Sequence, residues 1–421
     1  MSPVRPTVQL VGNRHAPEHH GLRDMLTRIA QPYEWLEAGT PEAEGLLERH
    51  GAADAELPVL IDGDTLHLGV TWAALVHAWQ HDAVPKRDHY DIGIIGAGPA
   101  GLSAAVYAAS DGLSTLVLER DVPGGQATHT SMVENFFGFP DGISGAELAR
   151  RGGRQAERFG AELMVMRGLE RGLVTEGGPA ALMVEGGIEI TASVVLTAPG
   201  MDWRRLEVDG LDELIGRGVY YGAGRSEAAA CGGEDVIVVG AGNSAGQAVL
   251  NLANAGARVT QLVRGEALGR TMSGYLVDRI SQHPLIDVRL RSQVVAVHAE
   301  DGHLSAVSIS GPDGAPEERP ATALFICIGG QPHTGWAPDA GVQTDAAGYI
   351  LTGPDLLEGG RRPAGWPLER DPLALETSVP GLFAAGDARH GSTKRVAGAV
   401  GEGAMAVALA FRRLAELGLA D

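Results

Sequence analysis

The stretch from Asp91 to Gly101 restricts what this chain can fold into more than any other part of it. An apolar run is followed there by a Gly-x-Gly-x-x-Gly spacing. The pattern predicts a buried strand, a tight turn at the first glycine, room for a pyrophosphate at the second, and close helix–strand packing at the third. Free N–H groups at the start of the helix favour phosphate binding. The residues that this pattern assigns to a dinucleotide cradle are Gly96, Gly98, Pro99, Ala100 and Gly101.

An acidic residue stands where such a cradle requires one. The next apolar run ends at Glu119, and an acid at that place hydrogen-bonds a ribose 2′-OH. An ordinary glycine-rich turn between a strand and a helix is the alternative interpretation. Because strand, turn, helix and acid all coincide, the pattern favours the cradle.

A second motif of the same form follows in the middle of the chain. The apolar run 235–239 leads into a Gly-x-Gly-x-x-Ala spacing, and the next apolar run, 258–263, is followed by Arg264. An arginine at that place accommodates a 2′-phosphate, so we expect FAD in the first unit and NADPH in the second, with NADH left open. Two such units in one chain are typical of oxidoreductases that use a flavin and a pyridine nucleotide. The residues assigned to the second cradle are Gly240, Gly242, Asn243, Ser244, Ala245, Arg264 and Arg270.

Composition narrows the possible partners. The 421 residues include 33 Lys and Arg against 53 Asp and Glu, a net charge of −20 without a basic block, which argues against nucleic acid or an anionic membrane as partner. No apolar stretch is long enough to span a bilayer and the N-terminus lacks the layout of a signal peptide, so we expect a cytoplasmic protein. With two cysteines, Cys231 and Cys327, neither a disulfide framework nor a cysteine-rich metal site is expected.

Two segments after the first motif, 122–126 and 131–140, resemble segments of the low-molecular-weight thioredoxin reductase family of flavoproteins. The resemblance covers about residues 88–421. In that family these segments pass beside the flavin, and a late strand followed by a helix supplies further contacts. The residues that the resemblance places at FAD are Gly125, Gln126, Asn135, Gly386, Asp387, Arg395, Val396 and Ala397.

The same resemblance implies an α/β fold with two Rossmann-like domains, usually assembled as a homodimer. We expect a discontinuous FAD-binding domain over 91–200 and 329–421, with an NAD(P)H-binding domain over 201–328 inserted into it. Residues 83–90 are polar and contain a proline, which predicts a linker.

The first 82 residues predict a separate small α/β domain. Their order of elements resembles the thioredoxin or glutaredoxin fold, with Pro58 where that fold carries a cis-proline. That fold needs a Cys-x-x-Cys at the start of its first helix. The corresponding residues of this chain, 13–17, include no cysteine. We therefore exclude dithiol exchange by this domain and expect a docking or structural role. The expected strands are 8–11, 33–36, 57–61 and 65–68, and the expected helices are 22–29 and 42–50.

The redox dithiol of the thioredoxin reductase family, which this chain resembles, is also absent. In thioredoxin reductases a Cys-x-x-Cys before the second motif passes electrons to thioredoxin, and the two positions are Ala223 and Ser226 here. Cys231 stands alone nearby and could form only a mixed disulfide with a small thiol. A relative that reduces bacillithiol disulfide uses a cysteine in the first motif, where this chain has Ala100. Cys327 lies in an apolar run and is expected in the core.

Hydride transfer from a nicotinamide to a flavin needs stacking geometry and no side-chain acid, so it survives loss of the dithiol. We therefore expect an FAD-dependent NAD(P)H oxidoreductase that delivers electrons directly to an external acceptor: ferredoxin or flavodoxin, a quinone, or a small oxidant. Two alternatives stay open, a redox sensor or docking protein with little turnover, and thiol chemistry through Cys231. His129, His333 and His390 lie near the motif segments, where a histidine can act as a proton relay. We favour the alternative, solvated loop residues, and assign them no role.

Overall fold

The described residues form five sheets, three of them at the centre of an α/β layer arrangement. No helix in these parts of the chain is long and apolar enough to cross a membrane. The computed structural model describes residues 6–14, 16–79, 84–174, 178–222, 228, 231–269, 272–312 and 314–419.

The N-terminal domain, residues 6–79, is a four-stranded sheet with three helices. Strand β1 pairs in parallel with β2 and antiparallel with β3, which gives the order β2-β1-β3-β4. The Leu57–Pro58 peptide bond is cis. The elements are β1 (Val8–Gly12), α1 (Pro17–Arg28), β2 (Tyr33–Glu37), α2 (Pro41–Arg49), β3 (Val59–Asp62), β4 (Thr65–His67) and α3 (Trp72–Ala78).

The first-motif domain carries the glycine motif of residues 96–101. Its elements are β5 (His89–Ile95), α4 (Pro99–Ser110), β6 (Thr115–Glu119), α5 (Gly145–Phe159), β7 (Glu162–Val165), β8 (Leu169–Leu173), β9 (Ala180–Val184), β10 (Ile188–Thr197), β21 (Leu382–Ala384) and α8 (Val396–Glu416). The sheet order is β7-β6-β5-β10-β9-β8, and β21 pairs in parallel with the end of β10. Chain segments on both sides of the second motif therefore build one sheet.

The second-motif domain consists of a parallel sheet of order β12-β19-β13-β14-β15 and an antiparallel sheet of order β16-β17-β18. Its elements are β12 (Val219–Tyr221), β13 (Asp235–Val239), α6 (Asn243–Asn254), β14 (Arg258–Val263), α7 (Gly274–Gln282), β15 (Ile286–Leu290), β16 (Gln293–Glu300), β17 (His303–Ser310), β18 (Pro316–Pro320) and β19 (Ala323–Ile326). Two short antiparallel strands, β11 (Met201–Trp203) and β20 (Gly330–Pro332), carry the chain into and out of this domain.

Helices α4 and α8 cross closely over the first sheet because small residues meet at the contact. A Cβ atom added to Gly403 of α8 would lie 2.1 Å from the carbonyl oxygen of Ala100 in α4. The buried alanines of both helices belong to the same core as the apolar residues of β5. This close crossing fixes the start of α4, and with it the turn of the first glycine motif.

Candidate functional site

Both glycine motifs open into one cleft of about 2830 Å³. Gly98 lines it from the first motif and Gly242 lines it from the second. Each motif follows a central strand of its sheet. Strand β5 lies between β6 and β10, and strand β13 lies between β14 and β19, so the chain continues to one side of the central strand first and to the other side later. Ligands of open α/β sheets bind at this kind of position, beyond the carboxyl ends of the strands.

The three glycines of the first motif have different surroundings. Gly96 has φ +98°, and a Cβ atom there would lie 2.3 Å from the carbonyl oxygen of Ala198, beyond β10. A Cβ atom on Gly101 would lie 1.9 Å from the carbonyl oxygen of Gly96. One on Gly98 would meet nothing within 4 Å. Gly96 and Gly101 therefore serve the packing of the chain, whereas Gly98 keeps open space at the start of α4.

The second motif repeats this geometry. Gly240 has φ +143°, and its added Cβ atom would lie 2.2 Å from the carbonyl oxygen of Cys327, beyond β19. Gly242 again faces open space at the start of α6. Asn243 and Ser244 line the cleft, whereas Ala245 is buried beneath it. The repetition gives the cleft two helix N-termini, each with room for an anionic group in front of it.

Glu119 is buried at the end of β6, where it lines the cleft. Its carboxylate accepts hydrogen bonds from the backbone N–H groups of Ala97 at 2.8 Å and Asp121 at 2.9 Å. Burial raises the pKa of Glu119, and the two N–H donors oppose that rise. A carboxylate has about four acceptor sites, so Glu119 keeps capacity for a ribose hydroxyl.

The corresponding place after β14 is occupied by Arg264, which is exposed and lines the same cleft. The two motifs thus present a buried acid and an exposed cation at matching positions, as the sequence predicts. Arg270, the other arginine assigned to this cradle, lies outside the described residues.

The segment after β6 supplies Gly125 and Gln126 to the cleft. They begin a short 3-10 helix, Gly125–His129, and the Gln126 side-chain amide donates a hydrogen bond to the carbonyl oxygen of Met201 at 2.5 Å. Asn135 lies on an exposed loop and is not among the residues that line the cleft. The structure therefore brings two of these three predicted flavin contacts together.

The last segment of the site joins β21 to α8. Gly386, Asp387, Arg395 and Val396 line the cleft, whereas Ala397 is exposed outside it. Burial raises the pKa of Asp387, and the neighbouring ammonium group of Lys394 opposes that rise.

Two side chains that the sequence analysis did not assign hold this segment in place. Lys394 donates from Nζ to the carbonyl oxygen of Asp387 and lies 3.9 Å from the ring centre of Tyr349. Glu402 of α8 accepts from the backbone N–H of Gly386 at 2.7 Å and pairs with Arg389 at 2.7 Å. A charged residue between two glycines, in the apolar first half of the helix, was the signal in the sequence that could have indicated Glu402.

The expectation of solvated loop histidines is wrong for His129. Its side chain is 18% exposed and meets Trp203 edge-on, with ring centres 5.7 Å apart. Burial and the nearby Arg28 guanidinium lower the pKa of His129 to about 3. The ring is therefore neutral near pH 7, because α1 of the N-terminal domain covers a loop that looked exposed in the sequence.

The other two histidines of the motif segments are hydrogen-bonded to carboxylates. His333 Nδ1 lies 2.5 Å from Asp202, which also pairs with Arg120 at 2.9 Å, and this cluster borders the cleft at the β11–β20 pair. His390 Nδ1 lies 2.7 Å from Asp345. Among the described residues no group of three or more His, Cys, Asp or Glu could hold a metal ion.

The two cysteines are buried and line different cavities. Cys327 follows β19 at the cleft, and burial raises the pKa of its thiol to about 12, so it stays protonated. The prediction that Cys327 lies in the core is confirmed. Cys231 lines a different, smaller cavity. Ala223 and Ser226 lie outside the described residues. These are the two positions at which the sequence analysis expects the dithiol of thioredoxin reductases.

Arg28 is a cleft residue that the sequence analysis missed. It belongs to α1 of the N-terminal domain, yet it pairs with Asp121 at 2.5 Å and donates to the hydroxyl of Thr128 at 3.1 Å. Both partners lie beside the segment of Gly125 and Gln126. The N-terminal domain thus supplies part of the wall of the cleft.

A chain with two dinucleotide cradles that face one cleft belongs to the class of oxidoreductases that bind a flavin and a pyridine nucleotide. A family model described as pyridine nucleotide-disulphide oxidoreductase matches residues 90–403. The thioredoxin reductase of Bacillus subtilis is 34% identical over 318 residues, which cover 75% of this chain and 92% of that protein. The thioredoxin reductase of Treponema pallidum is 33% identical over 322 residues, which cover 75% of this chain and 94% of that protein.

Solved structures agree with these sequence matches. A thioredoxin reductase of Lactococcus lactis superposes with a TM-score of 0.68 at 30% identity, covering 78% of this chain and 99% of that chain. The chain therefore belongs to the pyridine nucleotide-disulphide oxidoreductase family, on its thioredoxin reductase-like branch. Proteins of that branch use FAD and NADPH. The open space before α4 and α6, the buried Glu119 and the exposed Arg264 fit these two cofactors.

Proposed function

We propose that this protein is a thioredoxin reductase-like flavoprotein that oxidises NAD(P)H and reduces an external acceptor without an internal dithiol. The observation that carries the proposal is the placement of the cradles and the thiols. The two cradles share one cleft, whereas Cys231 lines another cavity and Cys327 carries a thiol of raised pKa. A chain with only these two cysteines has no neighbouring pair to form a redox disulfide.

The cleft residues have separate tasks in this proposal. The N-terminus of α4 at Gly98 would hold the FAD pyrophosphate and Glu119 its ribose, while Asp387 and Lys394 would lie along the rest of the cofactor. The N-terminus of α6 at Gly242 would hold the nicotinamide dinucleotide. Bound together, FAD and NADPH supply two-electron hydride chemistry that requires no side-chain acid. The neutral ring of His129 neither donates nor takes up a proton near pH 7.

An anaerobic NADPH titration of the FAD-loaded protein tests the proposal. We expect the flavin absorbance to bleach with about one NADPH per FAD, since no dithiol takes up a second electron pair. The Cys231→Ser/Cys327→Ser variant should show the same end point. NADH, titrated in parallel, measures the cofactor preference. Failure of both nucleotides to bleach the flavin would exclude an oxidoreductase, and loss of turnover in the cysteine variant would favour thiol chemistry.

The acceptor is proposed as a class. Reoxidation of the bleached protein by a quinone, a ferredoxin or flavodoxin, and a small oxidant sorts the three possibilities. We expect thioredoxin to be a poor acceptor, because the positions of the dithiol in the related reductases carry alanine and serine here. Rapid multiple turnover with any of these acceptors would argue against a protein that only senses the redox state.

A redox-sensing role is the second candidate, and the contacts of α1 favour it. We infer that the N-terminal domain is thioredoxin-like, since its order of strands and helices is that of the fold predicted from the sequence. Its helix α1 contacts the flavin side of the cleft through Arg28 and the second-motif domain through Pro17, whose Cβ lies 3.3 Å from a Cβ added to Gly216. A partner bound to this domain would therefore be close to both nucleotide domains.

We also propose that the protein is a cytoplasmic homodimer. Exposed apolar side chains on the first-motif domain support the dimer: Tyr107 of α4 and Met405 of α8 are 49% and 54% exposed on two helices that pack together. Exposed apolar groups of this kind are common at subunit contacts.

A further inference from the structure

A second cavity, of about 160 Å³, lies between the N-terminal domain and the second-motif domain. It shares no lining residue with the cofactor cleft. One wall comes from α1 and the loop before it, including Arg14 and Arg23. The other comes from the second-motif domain, including Arg217 and His303. The cavity is therefore built only when the two domains are docked.

The charge of this cavity is opposite to that of the whole chain. Three arginines line it against one carboxylate, Glu234, in a protein of net charge −20. Glu234 already accepts a hydrogen bond from the hydroxyl of Thr322 at 2.7 Å. Arg14 is partly neutralised, because it pairs with Glu37 at 3.2 Å outside the cavity. Arg23 and Arg217 therefore carry the uncompensated positive charge.

Arg23 is 7% exposed. Its Nη2 donates to the carbonyl oxygen of Arg14 at 3.1 Å, and its guanidinium lies 4.5 Å from the ring centre of Trp35. Its Nε has no hydrogen-bond partner. That nitrogen is closed to solvent, but Arg23 also lines the cavity, so a ligand there can add acceptor oxygens to the one carbonyl oxygen that its Nη2 contacts.

Arg217 completes the pair from the opposite wall. It is exposed, and its guanidinium makes no hydrogen bond or ion pair with the described residues. Planar guanidinium groups bind carboxylate and phosphate oxygens through two parallel hydrogen bonds. Two of them on facing walls can bind different oxygens of the same small anion.

We propose that this interdomain cavity binds a phosphate group, free or as a small ester, between Arg23 and Arg217. The volume takes one such group with a few waters, since a water occupies about 30 Å³. It is too small for a nucleotide. The bound anion joins α1 to the second-motif domain and so strengthens the docking of the N-terminal domain. The site does not depend on which electron acceptor the protein uses.

Calorimetric titration of inorganic phosphate tests the site. The protein is first saturated with FAD and NADP⁺, so that the glycine cradles are filled, and ionic strength is held constant with chloride. We expect one phosphate per chain. The Arg217→Gln variant should lose at least about tenfold in affinity, or about 1.4 kcal/mol. Glycerol phosphate in a second arm distinguishes a free anion from an ester, because only an open cavity accepts the ester.

Two further variants complete the design. Arg23→Gln should weaken phosphate binding by a similar factor, but Arg217 carries the test because it is exposed and its replacement leaves the fold unchanged. Arg412→Gln, on the exposed face of α8, is the matched control and should bind phosphate like the unaltered protein. Absence of binding up to about 10 mM phosphate, or equal affinity in the Arg217→Gln variant, overturns the proposal.

Discussion

Gly98 and Gly101 stand three residues apart, and their missing Cβ atoms serve different purposes. Gly101 allows the chain to pass the carbonyl oxygen of Gly96, whereas Gly98 has φ −65° and open space before it. A Gly101→Ala change should therefore destabilise the cofactor-free protein by at least about 2 kcal/mol, as overpacking does. Gly98→Ala should leave that stability within about 0.5 kcal/mol and weaken FAD binding.

Urea denaturation of the cofactor-free variants and fluorescence titration with FAD separate the two effects. We expect the Gly98→Ala variant to lose at least about tenfold in FAD affinity, since its methyl group occupies the approach of the pyrophosphate. Unchanged FAD affinity in this variant would contradict the assignment of the first cradle.

His129 links stability to pH. Its pKa of about 3 in the folded protein is far below the value of about 6.5 in an unfolded chain, so the unfolded state binds more protons below pH 6.5. Stability is complete above that pH and falls as the pH drops from 6.5 towards 3. At pH 5 the loss is about 2 kcal/mol.

Replacing the ring should remove this pH dependence. Denaturation by urea at about pH 7.5 and about pH 5 should show a smaller difference for His129→Gln than for the unaltered protein. His77→Gln, in the exposed turn of α3, is the control and should retain the original difference. An equal pH dependence in the His129 variant would show that the buried imidazole is not its source.

At the scale of elements, α1 joins the N-terminal domain to both the first-motif and the second-motif domain. Its last residue, Arg28, is 9% exposed and contacts Asp121 and Thr128, which lie beside the segment of Gly125 and Gln126. Asp121 is about one-third exposed, so solvent weakens the pair. We expect Arg28→Gln to lower the free energy of unfolding by about 1–3 kcal/mol.

Denaturation followed by both tryptophan and flavin fluorescence measures this effect. The variant should lose the coincidence of the two transitions, because the N-terminal domain then separates from the flavin side first. Arg49→Gln, at the exposed end of α2, provides the comparison and should leave both transitions unchanged. Coincident and unshifted transitions in the Arg28 variant would mean that α1 does not hold the domains together.

The elements that the sequence predicted well are those whose signal is local. The run 235–239 and the run that ends at Glu119 are strands with the predicted ends, because each is an apolar run closed by a glycine or a charge. Helix α1 begins at Pro17 rather than residue 22, since its first turn is polar and carries no apolar periodicity. Prolines near the start of a helix are favoured, and this signal was missed.

At the scale of the whole molecule, the site could be predicted only in part. The motif glycines, Glu119 and Arg264 follow from spacing, since each lies at the end of a strand whose place is local. Arg28 and the interdomain cavity arise where segments distant in sequence meet, and no spacing encodes those meetings. Glu402 has a local signal, but that signal does not indicate its contact with Gly386. The exposed position of Asn135 has the same origin, because its loop packs against the second-motif domain rather than into the cleft.

That loop makes a polar contact between the two nucleotide domains. Gln247 donates to the carbonyl oxygen of Met132 at 3.0 Å, and Arg279 pairs with Glu134 at 3.0 Å. The ion pair is about half exposed, so it contributes about 0–1 kcal/mol and is screened by salt. The orientation of the domains, and hence the fit of both cofactors in the cleft, should therefore respond to ionic strength.

Stopped-flow reduction of the flavin at saturating NADPH tests this expectation. The limiting rate of the unaltered protein should change between about 0.05 and 0.5 M salt, because screening loosens the Glu134–Arg279 pair. Glu134→Gln and Arg279→Gln should each remove most of that salt dependence, and the double variant should resemble either single one, as expected for residues that act through one interaction. Arg258→Gln, which breaks a pair within the second-motif domain, is the control for charge alone. If all four variants keep the original salt dependence, the orientation of the domains is set by the β11–β20 crossover and not by this surface contact.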